Sequence, residues 1–180
     1  TDSNVLTFRD ANIDNNEFIE QYARMPAVQS IDDLVAVTAQ YQGVPLFNTV
    51  ATDSQGNTWY ADSAATPNLS AEAEQLYIGK LFGDLITQIA YQQGLVLLDG
   101  SDSRFRWEVQ PGARDPGLVP FTELPQVERS DYVFNANDSF WLANADALLE
   151  GDYSPLHGRQ DTPRSPRTRE NATVLSDTSA

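Results

Sequence analysis

The apolar positions change period several times along the 180 residues, and each change predicts an element. Residues 5–8, with Val5, Leu6 and Phe8, read as a short strand in an otherwise polar start. Asn16 and Glu17 open a helix with Phe18, Ile19 and Tyr22 on one face, and Pro26 ends or bends it. Ser30 then offers an N-cap, with Asp32 and Asp33 in the first turn of a second helix. Ile31, Leu34, Val35 and Thr38 keep helical spacing, and Gly43 stops the helix near Gln42. The pattern becomes that of a strand over residues 46–52 and again over 57–61. Asp53, Ser54, Gln55 and Gly56 form a tight turn between them, so this hairpin is the clearest element of the chain. One long helix is predicted from Ser70, its N-cap, to Gln92, with Leu76, Leu81, Leu85, Ile86 and Ile89 as its apolar face and Gly94 as its stop. Residues 95–125 read as a long packed loop with short strands, and 131–136 as a further short strand. Beyond Asp138 the chain reads as mostly loop, with a fraying polar end.

Composition narrows the class. A hydrophobic content of 41% with 10% aromatics supports a packed core and excludes full disorder, despite a net charge of −15. That charge repels phosphate backbones and anionic bilayers, so no nucleic-acid partner is expected. Even the longest apolar runs are short, such as Leu95 to Leu98, which predicts no membrane span. A basic, apolar start of the signal-peptide kind is missing, but a mature or excised chain would have lost it. Zero Cys excludes disulfides, thiol catalysis and thiolate metal sites.

Candidate chemistry is sparse. No phosphate-binding glycine loop, no G-x-S-x-G elbow and no H-E-x-x-H occurs, and the single His157 sits in a loop setting that favours packing over base catalysis. Asp99 and Asp102 flank Gly100 and Ser101, a spacing that suits turn capping better than a calcium loop. Residues 135–139 are the densest polar segment behind an apolar strand pattern. An Asn amide at a strand end there is a neutral donor on a rigid element, as oxyanion stabilisation requires, and an Asn-rich turn is the alternative. Arg159, Arg164, Arg167 and Arg169 stand out against the acidic background and are expected to ion-pair with it.

Three segments in order carry a resemblance. They are Gly43 to Asp62 (GVPLFNTVATDSQGNTWYAD), then Leu97 to Ser101 running on to Pro111–Gly117, then Tyr132 to Asn144 (YVFNANDSFWLAN) followed by Ser165 to Arg169. Together they resemble the penicillin acylase family of N-terminal nucleophile hydrolases, in its acyl-homoserine lactone and aculeacin-type acylase branch, over about residues 8–175. The resemblance implies an α+β fold, part of an αββα sandwich with a β-hairpin, helices and long loops. Residues 1–175 are then an internal segment of the acylase large-subunit domain, and 176–180 a frayed polar tail.

It also implies the chemistry. The parent is an N-acyl amide hydrolase whose amino-terminal Ser attacks the amide with its own α-amino group as base, which removes the need for a His. Its expected substrates are acyl-homoserine lactones or lipopeptide-like amides. A penicillin or cephalosporin acylase is the alternative within the class, and a non-catalytic exported acidic binding module the alternative outside it. Asn137 matches the oxyanion-hole Asn, and Arg167 the active-site Arg that orients the catalytic region, with Arg169 as the second choice. The nucleophile lies outside this chain; Thr1, followed by a polar stretch, is not assigned that role, nor are Ser3 and Ser101. No cofactor is assigned: calcium occurs as a possibility in the family, and Asp146, near a family calcium ligand, receives no metal role. The expected partners are the other segments of the same precursor and a small N-acyl substrate. The expected location is periplasmic or secreted, and the isolated chain is expected to be inactive.

Overall fold

The computed structural model describes residues 5–177. Thr1, Ser3 and the last three residues of the polar tail lie outside them. The element order is α1 (Glu17–Arg24), α2 (Ile31–Tyr41), β1 (Asn48–Thr52), β2 (Thr58–Asp62), α3 (Ala71–Gly83), α4 (Leu85–Gln92), β3 (Gln126–Arg129) and α5 (Pro166–Ser176). Short 3-10 turns lie at Met25–Ala27, Ser103–Phe105 and Phe121–Glu123. The mixture of helices and one small antiparallel sheet is the α+β class that the sequence implies.

The sheet has the order β1-β2-β3, with Val50 opposite Tyr60 and Tyr60 opposite Val127. β2 is the central strand and is buried on both faces from Thr58 to Ala61. Because successive side chains on a strand point to opposite faces, neighbours on β2 feed two different cores. Trp59 and Ala61 pack with Ile31 and Leu34 of α2 and with Phe121. Tyr60 packs with Phe134, Phe140, Trp141, Leu142 and Leu149, and with Ala172 of α5. A third cluster joins Ala73 and Tyr77 of α3 to Leu69 and Phe105.

The hairpin forms as predicted. Asp53 Oδ1 accepts from the N–H of Gln55 at 2.9 Å and of Asn57 at 3.0 Å, and Gly56 takes the left-handed backbone that the turn needs (φ 87°). Ser30 and Ser70 cap their helices through the N–H groups of Asp33 and Ala73.

Several expectations are corrected. Residues 5–8 form no strand, and Val5, Leu6 and Phe8 are exposed. Gly43 is not the helix stop: Gln42 already takes the left-handed cap position (φ 47°). Gly43 instead lets α1 approach, since a Cβ there would lie 2.6 Å from the Glu17 carbonyl carbon. Its N–H donates to Oε1 of the fully buried Gln21 at 2.6 Å. The long helix breaks at Asp84, which ends α3 and caps α4 through the Thr87 N–H at 2.8 Å and hydroxyl at 2.5 Å. The apolar face of the first predicted helix and the second half of that of the third point outward, while Leu76 and Leu81 of the third pack against the Tyr77 cluster as expected. Phe18, Ile19 and Tyr22 on α1, and Leu85, Ile86 and Ile89 on α4, are exposed, while Gln21 and Thr87 are the buried positions there. Residues 95–125 hold 3-10 turns and one isolated bridge, Pro67 with Leu118, rather than strands.

Residues 131–136 are not a strand either. The strand lies earlier, at 126–129, where it pairs with β2. The chain then turns at Asp131 and folds back on itself, with Phe134 N–H donating to Ala143 C=O at 2.9 Å. The stretch expected to be loop beyond Asp138 ends in α5, which continues to Ser176. Its start signal is present in Ser165 and Pro166, an N-cap followed by Pro in the first turn.

Gly43→Ala is expected to push α1 off its seat, because the clash is with backbone rather than a flexible side chain. The cost is that of overpacking, about 1–3 kcal/mol. Denaturant unfolding of the native protein checks this, and an unchanged midpoint contradicts the close approach.

Candidate functional site

The polar residues that matter grow out of the Tyr60 core. The Tyr60 ring is fully buried, so its hydroxyl needs protein partners. It donates to Asn48 Oδ1 at 2.7 Å and accepts from Asn135 Nδ2 at 3.3 Å. Burial, reinforced by the Asp62 charge, pushes the phenol far above its ordinary pKa, so it remains a donor. Asn135 spends its whole amide in the site. Its Nδ2 also donates to the Asp138 C=O at 3.1 Å, and its Oδ1 accepts from the Asn137 N–H at 2.8 Å.

Asn137 therefore sits at the tip of a turn pinned on both sides, with left-handed backbone (φ 57°). Sequence reasoning expects it at a strand end; the segment before it folds back instead of pairing, so it occupies a turn. Its side chain is exposed and, among the described residues, has no hydrogen-bond partner. Of the two Asn in the motif, Asn135 is consumed by the framework and Asn137 alone has an amide free to donate.

Asp138 links this turn to α5. Its Oδ1 accepts from the Ser139 N–H at 3.0 Å; its Oδ2 accepts from the Thr168 hydroxyl at 2.7 Å and the Ser165 N–H at 3.3 Å. These donors, Thr168 first, hold the carboxyl below the ordinary aspartate range. Arg167 lies between the two α5 contacts, at the second helical position, and is exposed; Arg169 is also exposed. The expected ion pairs of Arg159, Arg164, Arg167 and Arg169 do not form among the described residues. Arg164 lies 5.8 Å from the centre of the Trp141 ring instead.

A second anchor lies behind the turn. The buried Asn144 donates to the Tyr132 C=O at 2.7 Å and to Asp131 Oδ1 at 3.1 Å, and accepts from the Asp146 N–H at 2.8 Å. The Arg129 guanidinium, 2.6 Å from Asp131 Oδ2, drives that carboxyl far below its usual range. Sequence reasoning missed Tyr60, Asp138 and Asn144. The readable signal was the density of Asn and Asp around an otherwise apolar stretch.

His157 is packed into the fold. Its side chain is 3% exposed, with Nδ1 2.7 Å from Thr66 Oγ1, Nε2 3.2 Å from Asp62 Oδ2, and its ring edge-on to Phe140. Asp99 accepts from the Ser101 N–H and hydroxyl, and Asp102 binds Arg104, so both carboxylates serve their own turns. Asp146 is exposed, and no group of three carboxylate or His side chains gathers among the described residues. An open cleft of about 740 Å³ lies between the start of α3 and the loop around Tyr153 and Arg159. Asn137 does not line it, but the neighbouring Ser139 hydroxyl donates to the Arg159 C=O at its wall.

The lowered Asp138 pKa fixes a pH sign. A carboxyl depressed in the folded state stabilises above its unfolded pKa, and that contribution is lost as pH falls through the folded value. The tie to α5 is therefore expected to hold throughout pH 5–8. The 13C signal of the Asp138 carboxyl carbon is expected to titrate below the reference value of about 3.9; a midpoint at or above that value contradicts the assigned hydrogen bonds.

Comparison with known proteins agrees with the resemblance carried by these segments. The profile of the penicillin amidase family matches residues 3–180. The chain is 34% identical over 163 residues to acyl-homoserine lactone acylase PvdQ of Pseudomonas fluorescens strain Pf-5, covering 91% of this chain and 20% of that protein. It is 36% identical over 161 residues to the PvdQ acylase of Pseudomonas putida strain KT2440, covering 89% and 20%. To aculeacin-A acylase of Actinoplanes utahensis it is 34% identical over 169 residues, covering 94% and 21%. The chain thus spans about a fifth of the length of the curated relatives it matches. With nearly its whole length matched by the family profile, the chain belongs to the penicillin amidase family.

Proposed function

We propose that this chain is the part of an N-acyl amide hydrolase that contributes Asn137 as an oxyanion donor and Arg167 as an orienting cation. The observation that supports it most is the Asn137 turn: a neutral amide, free of partners among the described residues, on a backbone fixed from both sides. Preorganised donors of this kind stabilise the charge that develops on the carbonyl oxygen at little reorganisation cost. The nucleophile in this reading is an amino-terminal Ser outside the chain. Its hydroxyl attacks the amide carbonyl, its α-amino group takes the proton, and Asn137 donates to the tetrahedral oxyanion. The amine leaves, and water releases the acid from the acyl-enzyme.

The substrate class follows from the relatives' names: N-acyl compounds, acyl-homoserine lactones or lipopeptide-like amides. The proposal includes a large-subunit position within an αββα sandwich, an exported parent and an inactive isolated chain. The outward apolar faces of α1 and α4 support the presence of partner segments, since exposed groups such as Ile19, Leu85 and Ile86 are ready to be covered.

Steady-state hydrolysis by the full-length protein tests the reading. Acyl-homoserine lactones are expected to be cleaved in preference to benzylpenicillin, and the reverse preference favours the penicillin acylase alternative. Asn137→Ala is expected to lower kcat roughly 100- to 1,000-fold with little change in KM; wild-type kcat in that variant contradicts the oxyanion role.

A further inference from the structure

Asp138 makes contacts that a turn residue does not need for its own turn. One carboxylate oxygen serves the Asn137 side of the site, through the Ser139 N–H. The other reaches across 27 and 30 residues of sequence to the Ser165 N–H and the Thr168 hydroxyl. Its backbone C=O is held in turn by Asn135. We infer that Asp138 is a positioning residue that sets Asn137 and the Arg167-bearing start of α5 as one unit. This rests on the acylase reading of Asn137 and Arg167 given above.

Three physical points carry it. First, α5 has little else to seat its beginning. Its buried positions are only Thr168 and Ala172, a narrow stripe for a helix of 11 residues, and short helices depend on tertiary anchoring. Asp138 Oδ2 accepts from the N–H of the capping Ser165 itself and lies at the positive end of the helix dipole, beyond the bond that Ser165 Oγ accepts from the Thr168 N–H. Second, Asn137 has left-handed backbone, a conformation that persists where the surroundings determine it. Asn137 is held on one side at its own N–H, by Asn135 Oδ1, and on the other at both the carbonyl and the carboxylate of Asp138. Third, the residue type is specified. The Ser139 N–H and Ser165 N–H can only donate, and the Thr168 hydroxyl donates as well. An ionised carboxylate accepts on both oxygens, whereas an Asn there places an NH2 against a donor whichever way it is turned.

That last point separates positioning from simple space-filling, because Asp138→Asn conserves volume and removes only charge and one acceptor. In the full-length acylase, assayed with a panel of N-acyl-homoserine lactones, Asp138→Asn is expected to lower kcat roughly 10- to 100-fold with KM within about threefold, the size of effect that a small misplacement produces. Thr168→Val, which removes one partner from the opposite side, is expected to lower kcat in the same direction by a smaller factor. In the Asn137→Ala background, Asp138→Asn is expected to lower kcat by a clearly smaller factor than in wild type, because the part of its effect that acts through Asn137 is already removed and only the part through α5 remains. Amide exchange at Ser139 and Ser165 is expected to accelerate in Asp138→Asn.

A kcat for Asp138→Asn within about twofold of wild type, while Asn137→Ala remains strongly impaired, overturns the inference and leaves the acylase reading standing. Losses that multiply in the double variant also overturn it. Wild-type kcat in Asn137→Ala instead overturns the acylase reading and, with it, the catalytic meaning of the Asp138 tie; exchange at Ser165 then still reports whether Asp138 holds α5.

Discussion

The hydroxyl of Tyr60 is the constraint around which the rest is arranged. β2 is buried on both faces, so its tyrosine delivers a polar group into the largest apolar cluster of the chain. A buried hydroxyl without partners is costly, by about 1–3 kcal/mol on mutational evidence. Two partners answer it: Asn48 at the start of β1 and Asn135 in the folded-back segment. Once Asn135 is fixed to the sheet in this way, its remaining amide N–H and carbonyl oxygen fix the Asn137 turn, and Asp138 then fixes α5. The site is therefore an outgrowth of the sheet core, and a surface turn inherits the rigidity of a central strand.

Charge acts differently in the two parts of the molecule. The net −15 is spread over exposed faces, where pairs such as Arg24 with Glu20 contribute little. The cations that shape structure are few and partly buried. Arg114 bridges Asp115, the Gln42 carbonyl and the Ala11 carbonyl, tying the chain start to the loop before Gly117. Arg129 pins Asp131 where the chain turns back. Arg167 and Arg169 form no ion pair among the described residues and stay exposed.

Much of the scaffold was legible because local chemistry and tertiary packing agree there. Asp53 and Gly56 dictate the hairpin turn, and Ser30 and Ser70 dictate helix starts. Where they disagree, reading fails for identifiable reasons. Helix face assignment assumes that apolar residues point inward, yet α1 buries Gln21 because Gly43 brings a backbone N–H against it. The strand near 131–136 was misplaced because its apolar residues pack without pairing, while the more polar Gln126 to Arg129 supply the ladder. α5 was hidden by its Arg-rich, Thr-rich composition, although Ser165 and Pro166 announce it. Asn137 and Arg167 are proposed from the order of family motifs; Asp138 falls in the same polar segment, but its ties to Ser165 and Thr168, 27 and 30 residues away, cannot be read from local pattern.

The central claim is that the free Asn137 amide faces the reacting carbonyl. A crystal structure of the full-length protein with a tetrahedral adduct on its nucleophile measures this directly. The account predicts Asn137 Nδ2 within about 2.7–3.1 Å of the adduct's oxyanion, with the turn held by Asn135 as described. An oxyanion bound wholly by other donors, with the Asn137 amide turned away to solvent, contradicts it.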